Sequence, residues 1–277
     1  MSHSLYRPPS VERPEPARRS PMSSAITDAT ELGTVLGVWA HPDDEAFLSA
    51  GLMAAARSAG ARVACVTATL GEQGTPDPGS WPPQRLAVVR EHELRASLAA
   101  LDVTEHYLLG IADGHCAPTP PEPVVDRIAE IIDLVRPDTI VTFGPEGMTG
   151  HEDHQTVSSW ATAARAVAAP TARLLYATTT EEFVDQWEPQ RASFDMFLAE
   201  GLPLRTPYSA LAVELRLDPD QVDQKFVALR AQASQTAGLI DAIGERRLRQ
   251  WFSTESFVSA DAVGAGASTW GTWRVAA

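Results

Sequence analysis

Short runs of β-branched and apolar residues alternate with longer amphipathic stretches between residues 34 and 179, and this alternation restricts the fold more than any other feature. Strands separated by helix-length segments pair in parallel, because each crossover carries the chain back to the same end of the sheet. The pattern predicts strands at Thr34–Ala40, Ala61–Thr69, Thr104–Leu109, Asp138–Phe143 and Arg173–Thr179. Helices are expected at about Ala46–Ala59, Gln84–Leu101, Val124–Val135 and His154–Ala168. Gly60 suits a left-handed cap on the first helix, Leu86, Val89, Leu94, Leu98 and Leu101 recur near three-four spacing in the second, and Pro137 stops the third. The expected architecture is α/β: a doubly wound, Rossmann-like, mostly parallel sheet of order 3-2-1-4-5 with helices on both faces and a C-terminal extension. Within that extension Leu211–Leu217 and Glu255–Ser259 resemble strands, and Asp218 caps a helix beginning at Pro219.

A chain of 277 residues with 44% hydrophobic and 21% charged residues has ample apolar surface for a core. Residues 1–28, rich in Pro, Ser and Arg near their start, read as a disordered tail without the apolar centre of a secretory signal, and Met22 is an alternative start. Residues 29–277 read as a single catalytic domain, with a core of about 33–180 and a substrate-side extension of about 181–277. The formal charge of -14 repels phosphate backbones and anionic lipid, so neither nucleic acid nor membrane is an expected partner. Two cysteines, Cys65 and Cys116, form neither a disulfide framework nor a CxxC pair, which fits a cytoplasmic location. Oligomeric state is not legible.

Chemistry concentrates in Ala40-His41-Pro42-Asp43-Asp44-Glu45, directly after the first strand, and in His151-Glu152-Asp153-His154, after the fourth. In the expected strand order the ends of strands one and four are neighbours at the switch point, where doubly wound sheets bind ligands. Two His/Asp clusters about 110 residues apart therefore face one crevice. Two imidazoles and a carboxylate suit a zinc ion that keeps a water, whose pKa it lowers. Pro42 stiffens the turn that presents Asp43 and Asp44. Binding a cation to one of these adjacent carboxylates relieves their repulsion and leaves the other free as a base. Of His151 and His154, three apart at a helix start, one can coordinate while the other reaches substrate.

With AHPDDE at 40–45, TLGEQG at 69–74, REHEL at 90–94, LGIADG at 109–114 and GHEDH at 150–154, the sequence resembles the PIG-L/LmbE-like zinc N-deacetylases over about residues 33–260. That family includes the mycothiol-pathway deacetylase and enzymes acting on N-acetylglucosaminyl-inositol compounds. The resemblance implies zinc ligands His41, Asp44 and His154, with Asp43 as the general base. It implies that His151 stabilises the oxyanion or protonates the leaving amine, with Asp153 orienting it, and that Arg90 and Asp113 contact the sugar. The substrate implied is a small glycoconjugate carrying an N-acyl, normally N-acetyl, amino sugar. Thr149 stands where the mycothiol-pathway enzyme has a Tyr, and Gln232 replaces the His of a family R-A-H-x-S-Q segment.

Plainer readings compete at single positions. An Asp pair before a helix is ordinarily a response to the macrodipole, Arg90 and Glu93 have the spacing of a surface ion pair, and Asp113-Gly114 suits a turn. His92, His106 and His115 have no evident partner. Rival functions are a non-haem iron oxygenase, an amidase of a thiol-sugar conjugate and a non-catalytic glycan binder. A nucleotide-dependent oxidoreductase lacks its GxGxxG after the first strand.

Overall fold

The computed structural model describes residues 25–75, 77–191, 198–199 and 201–265. The parallel half follows the expected order: β1 (Val35–Trp39), α1 (Asp44–Leu48), α2 (Ala50–Ser58), β2 (Val63–Thr67), α3 (Pro83–Ala100), β3 (Glu105–Leu108), α4 (Pro121–Val135), β4 (Thr139–Phe143), α5 (Gly147–Gly150), α6 (Glu152–Ala168) and β5 (Arg173–Thr178). The chain continues through α7 (Glu181–Arg191), β6 (Val213–Arg216), α8 (Pro219–Ala231), α9 (Ala233–Ile243), α10 (Glu245–Trp251), β7 (Thr254–Ser259) and α11 (Ala260–Ala265).

The seven strands form one sheet of order β3-β2-β1-β4-β5-β7-β6. β1 pairs in parallel with β2 (Val35 opposite Val63) and with β4 (Val35 opposite Thr139), so the doubly wound order holds. The sheet is mixed because β7 joins β5 antiparallel and β6 joins β7 antiparallel. The C-terminal extension thus widens the same sheet. Every residue of β1, β2 and β4 is buried, as expected of strands covered on both faces. α4 packs on α6 at one face, while α8 packs on α2 and α3.

The helix expected over 46–59 is broken at Ser49 (φ -144°, ψ 9°). Glu255 of β7 explains the break: its carboxylate accepts the Gly51 and Leu52 N–H groups at 2.7 Å each, satisfying donors that a new helix start exposes. Lys225 of α8 donates to the same carboxylate at 2.6 Å and to Phe47 O at 2.8 Å, tying α1, α2, α8 and β7 together in the interior. The predicted Asp218 cap is present as a full capping box with Gln221. Of the stretch assigned to the tail, residues 1–24 lie outside the described residues, while Ile26 bridges Val213 and Asp28 caps a 3-10 turn over Ala29–Leu32.

Apolar burial divides into two clusters. The larger fills both faces of the sheet, with Trp39 and Phe143 meeting edge to face at 4.9 Å. The smaller joins Ala46, Trp187, Phe226, Leu229, Leu248 and Trp251 beneath α7 to α10. Among the described residues no helix is long and apolar enough to cross a membrane.

Candidate metal centre

The turn after β1 brings His41, Asp43 and Asp44 to the carboxyl end of the sheet, and the start of α6 brings His151, Asp153 and His154 to the same place. His41 Nδ1 lies 3.1 Å from His154 Nε2. Asp44 completes the group, its Oδ2 3.7 Å from His41 Nδ1 and its Oδ1 3.5 Å from His154 Nε2. The His151 ring stands 4.9 Å from that of His41 and 5.0 Å from that of His154.

The opposite nitrogens fix the tautomers. His154 Nδ1 lies 3.0 Å from Gly147 O, an acceptor, so that nitrogen carries the hydrogen and Nε2 keeps its lone pair. His41 Nε2 faces Asp113 Oδ1 at 3.1 Å and Asp153 Oδ2 at 3.3 Å, so its hydrogen is there and Nδ1 keeps its lone pair. Two lone pairs 3.1 Å apart repel unless a positive charge, a proton or a metal ion, sits between them. Burial opposes charge on His41, but Asp113, Asp153 and Asp44 outweigh it and raise the imidazole to about 10. Burial, with His41 and His151 beside it, pushes His154 well below its ordinary value.

Donors that share a tetrahedral zinc at about 2.0–2.1 Å lie about 3.4 Å apart, and the 3.1–3.7 Å separations here match that span. His41 also converges with His151 and His154, and a further group of possible ligands joins His41 with Asp113 and Asp153. Its carboxylates are otherwise engaged: Asp153 accepts Gly114 N–H at 2.8 Å and Cys116 N–H at 3.0 Å, and Asp113 accepts Gln73 N–H at 2.8 Å. Carboxylates backing the far nitrogen of an imidazole are the usual support of a metal-binding histidine. On the Nδ1 side of His41, Asp44 Oδ2 accepts the His41 backbone N–H at 2.8 Å, so the carboxylates on both sides of the ring carry backbone hydrogen bonds.

Asp43 sits at φ 107°, a backbone conformation costly for a residue with a Cβ. Two contacts hold it. Its N–H donates to Glu45 Oε2 at 3.0 Å, and Arg90 Nη2 donates to its Oδ2 at 3.0 Å. Burial raises the Asp43 carboxyl to about 7 against the pull of Arg90. Glu45 is fully buried and raised by burial to about 7, with Ser97 Oγ and Gln232 Nε2 each donating to its Oε1 at 2.8 Å.

Three expectations change with these contacts. Asp153 was expected to orient His151, yet its carboxylate holds His41; only its backbone N–H reaches His151 Nδ1, at 3.2 Å. Arg90 neither pairs with Glu93 nor offers a free guanidinium to a sugar. It is 3% exposed and donates to Pro42 O, to Asp43 and to Gly71 O, while Glu93 accepts from Ser234 on α9. Asp113 is likewise committed to His41 and Gln73. The sequence signal for this inner arrangement was TLGEQG: Gly71 has φ 62°, and a Cβ there would lie 2.1 Å from Arg90 Nη1, so only glycine fits. Glu45, Ser97 and Gln232 were not assigned roles, because a carboxylate fed by α3 and by the junction of α8 and α9 is a tertiary pairing. Of the unassigned histidines, His106 Nε2 meets Thr67 Oγ1 at 3.1 Å, His92 Nδ1 meets Val88 O at 2.7 Å and His115 Nδ1 meets Asp113 O at 2.9 Å.

The GlcNAc-PI de-N-acetylase (PIG-L) family matches residues 36–165, a span that holds every ligand candidate. The 1D-myo-inositol 2-acetamido-2-deoxy-alpha-D-glucopyranoside deacetylase of Saccharomonospora viridis is 31% identical over 228 residues, covering 73% of this chain and 84% of that protein. This chain belongs to the PIG-L family. Among solved structures, N,N'-diacetylchitobiose deacetylase from Pyrococcus horikoshii superposes with a TM-score of 0.60 at 19% identity, over 88% of this chain and 90% of that one. The 4-carboxy-2-hydroxymuconate hydratase GalB of Pseudomonas putida KT2440 also superposes, with a TM-score of 0.55 at 16% identity over 83% of this chain and 96% of that one. The PIG-L fold thus houses more than one reaction, and the assignment of chemistry rests on the site and the sequence relatives.

Proposed function

We propose that this PIG-L protein is a zinc-dependent hydrolase that removes an N-acetyl group from an amino sugar of a small glycoconjugate. The observation that carries the reading is the convergence of the His41 and His154 lone pairs on Asp44, with a second carboxylate, Asp43, alongside. His41, Asp44 and His154 would hold the metal. When bound, zinc supplies Lewis acidity towards the amide carbonyl and lowers the pKa of water.

The chain's own groups do the rest. Asp43 takes the proton of the attacking water; a carboxyl raised to about 7 is matched to that task near neutral pH. Arg90 anchors that carboxylate and the carbonyl of Pro42, so the base is held in place. His151 Nδ1 accepts the Asp153 N–H, so the neutral ring keeps its hydrogen on Nε2 to donate to the oxyanion, and the proton that Asp43 took from the water is the one the departing amine receives. Asp113 and Asp153 keep the His41 hydrogen on Nε2, so Nδ1 stays available.

The test is metal analysis of the purified chain followed by acetate release from N-acetylglucosaminyl-inositol and other N-acetylated amino sugars. Asp43→Ala is expected to keep its zinc and lose at least ~100-fold in turnover. Unchanged turnover would remove Asp43 from the mechanism, and absence of acetate from every substrate would remove the reaction.

A further inference from the structure

A cavity of about 490 Å³ opens from Asp43, Asp44 and His154 towards the C-terminal helices. Among its lining side chains are the aromatic and aliphatic Phe47, Phe183, Trp187, Leu239, Trp251 and Phe252. Trp187 and Trp251 stack at 5.4 Å, and Phe47 and Phe252 lie 5.4 Å apart, so the wall is braced by its own rings. Phe47, Phe183 and Phe252 are only half-buried. A space of this size is of the order of a small-molecule site, and protein interiors do not otherwise leave apolar walls apart.

The groups just described do not account for it. An acetyl methyl would fill a small corner; Thr149, Gln186, Gln250 and Ser253 also line the cavity and can serve a sugar's hydroxyls, but a polyhydroxylated ring placed against the six ring and leucine side chains would bury hydroxyls without partners, at a cost of about 1–3 kcal/mol each. Charge narrows the choice further. Glu182 and Glu214 line the same cavity, and Arg216, which also lines it, pairs with Glu214 at 3.2 Å. A phosphate or carboxylate entering there meets an acidic lining whose arginine is already engaged.

We infer that the preferred substrate carries an uncharged apolar group of several carbons that occupies this ring-walled cavity while the amide lies at the metal centre. The inference rests on the proposed deacylation and specifies its substrate class. Such a group has two possible sources, a long N-acyl chain or an apolar aglycone on the sugar, and both present the same chemistry to the wall.

The experiment compares the metal-loaded full chain on three substrates: methyl N-acetylglucosaminide as reference, octyl N-acetylglucosaminide and methyl N-octanoylglucosaminide. One of the two octyl compounds is expected to exceed the reference in kcat/KM by at least about tenfold, the effect of burying two methylenes, and the one that rises identifies the source. Phe183→Glu should remove that preference and Phe183→Leu should retain most of it. In parallel, the probe for the preferred source, octyl glucosaminide (which has no amide to cleave) for an aglycone or methyl N-octanoylglucosaminide with a chain that does not cleave it for an N-acyl group, should change tryptophan emission saturably, methyl glucosaminide should not, and Phe183→Glu should abolish the change. Hydrolysis of all three substrates at equal efficiency, or a preference unmoved by Phe183→Glu, overturns the inference and leaves deacylation standing. If none is cleaved, the proposed reaction falls, and the emission titrations alone decide whether the cavity takes an apolar group.

Discussion

On the side of the crevice built by β1, β4 and the loops after β2 and β3, buried His41, Asp44, Asp113, Asp153 and His154 are held by one another and by backbone amides. On the side built by α7, α9 and α10, Phe183, Trp187, Leu239 and Trp251 pack as rings and aliphatic groups against their like. The first side is tuned by charge, where moving one proton or one carboxylate alters every neighbour. The second is tuned by shape and area, where substitutions act in proportion to the surface they remove. Damage to the two sides should therefore differ in kind: loss of metal and chemistry on one, loss of stability or selectivity on the other.

The largest expected effect lies on the charged side. His154→Ala removes one of the two imidazoles that face each other, and deacylation should fall on the order of a thousandfold, since metal polarisation contributes several kcal/mol to such reactions. Zinc content measured on the same preparation should fall with it. A variant that retains both would show that His154 is not a ligand the metal needs.

Next in size is a change beneath the apolar side. Lys225 and Glu255 form a buried pair at 2.6 Å, with side chains 2% and 1% exposed. Among the described residues, Lys225→Met leaves Glu255 with only the Gly51 and Leu52 amides, and breaking such a pair costs about 3 kcal/mol or more. Urea unfolding should show that loss as a lower midpoint with zinc content retained. An unchanged midpoint would mean the two helix amides alone satisfy the carboxylate.

How much of each side could be read from sequence follows from the same contrast. His41, Asp43 and Asp44 lie in one five-residue turn behind a strand, and His151 and His154 at one helix start, so local pattern and sheet order brought them together. The support of His41 was not legible, because Asp153 stands two residues from His151 in sequence while the first turn of α6 aims its carboxylate at the amides of Gly114 and Cys116. The apolar side was less legible still. α7 carries Phe183, Val184 and Trp187 among charged and polar neighbours, and β7 lies between β5 and β6 in the sheet although it follows both in the chain. The break at Ser49 depends on a carboxylate more than 200 residues away.

A smaller effect sharpens the claim that Asp153 supports His41. Asp153→Asn keeps the shape and removes the charge; against burial, His41 and then the Gly114 and Cys116 amides hold Asp153 below its usual carboxylate range. Loss of a carboxylate behind a metal-binding imidazole typically weakens metal affinity 10–100-fold. Competition with a chelator should register that shift, whereas Asp153→Asn with wild-type affinity would assign the histidine's orientation to Asp113 alone.

The smallest effect comes from His106 at the β3 edge of the charged side, far from any ligand candidate in the sheet order. Burial, with Arg95 adding to it, lowers this imidazole from 6.5 to about 4 in the folded chain. Above pH 6.5 the residue is neutral folded or unfolded and has no bearing on the pH dependence. As pH falls from 6.5 towards 4 the unfolded chain takes up a proton that the folded chain refuses, so stability declines across that window and levels off below it. A single proton gives a slope of at most about 1.4 kcal/mol per pH unit, less for a ring that water partly reaches. His106→Gln, which cannot titrate, should flatten the wild-type slope between pH 6.5 and 4 in urea unfolding; parallel slopes for the two proteins would show that the ring accepts its proton as readily folded as unfolded.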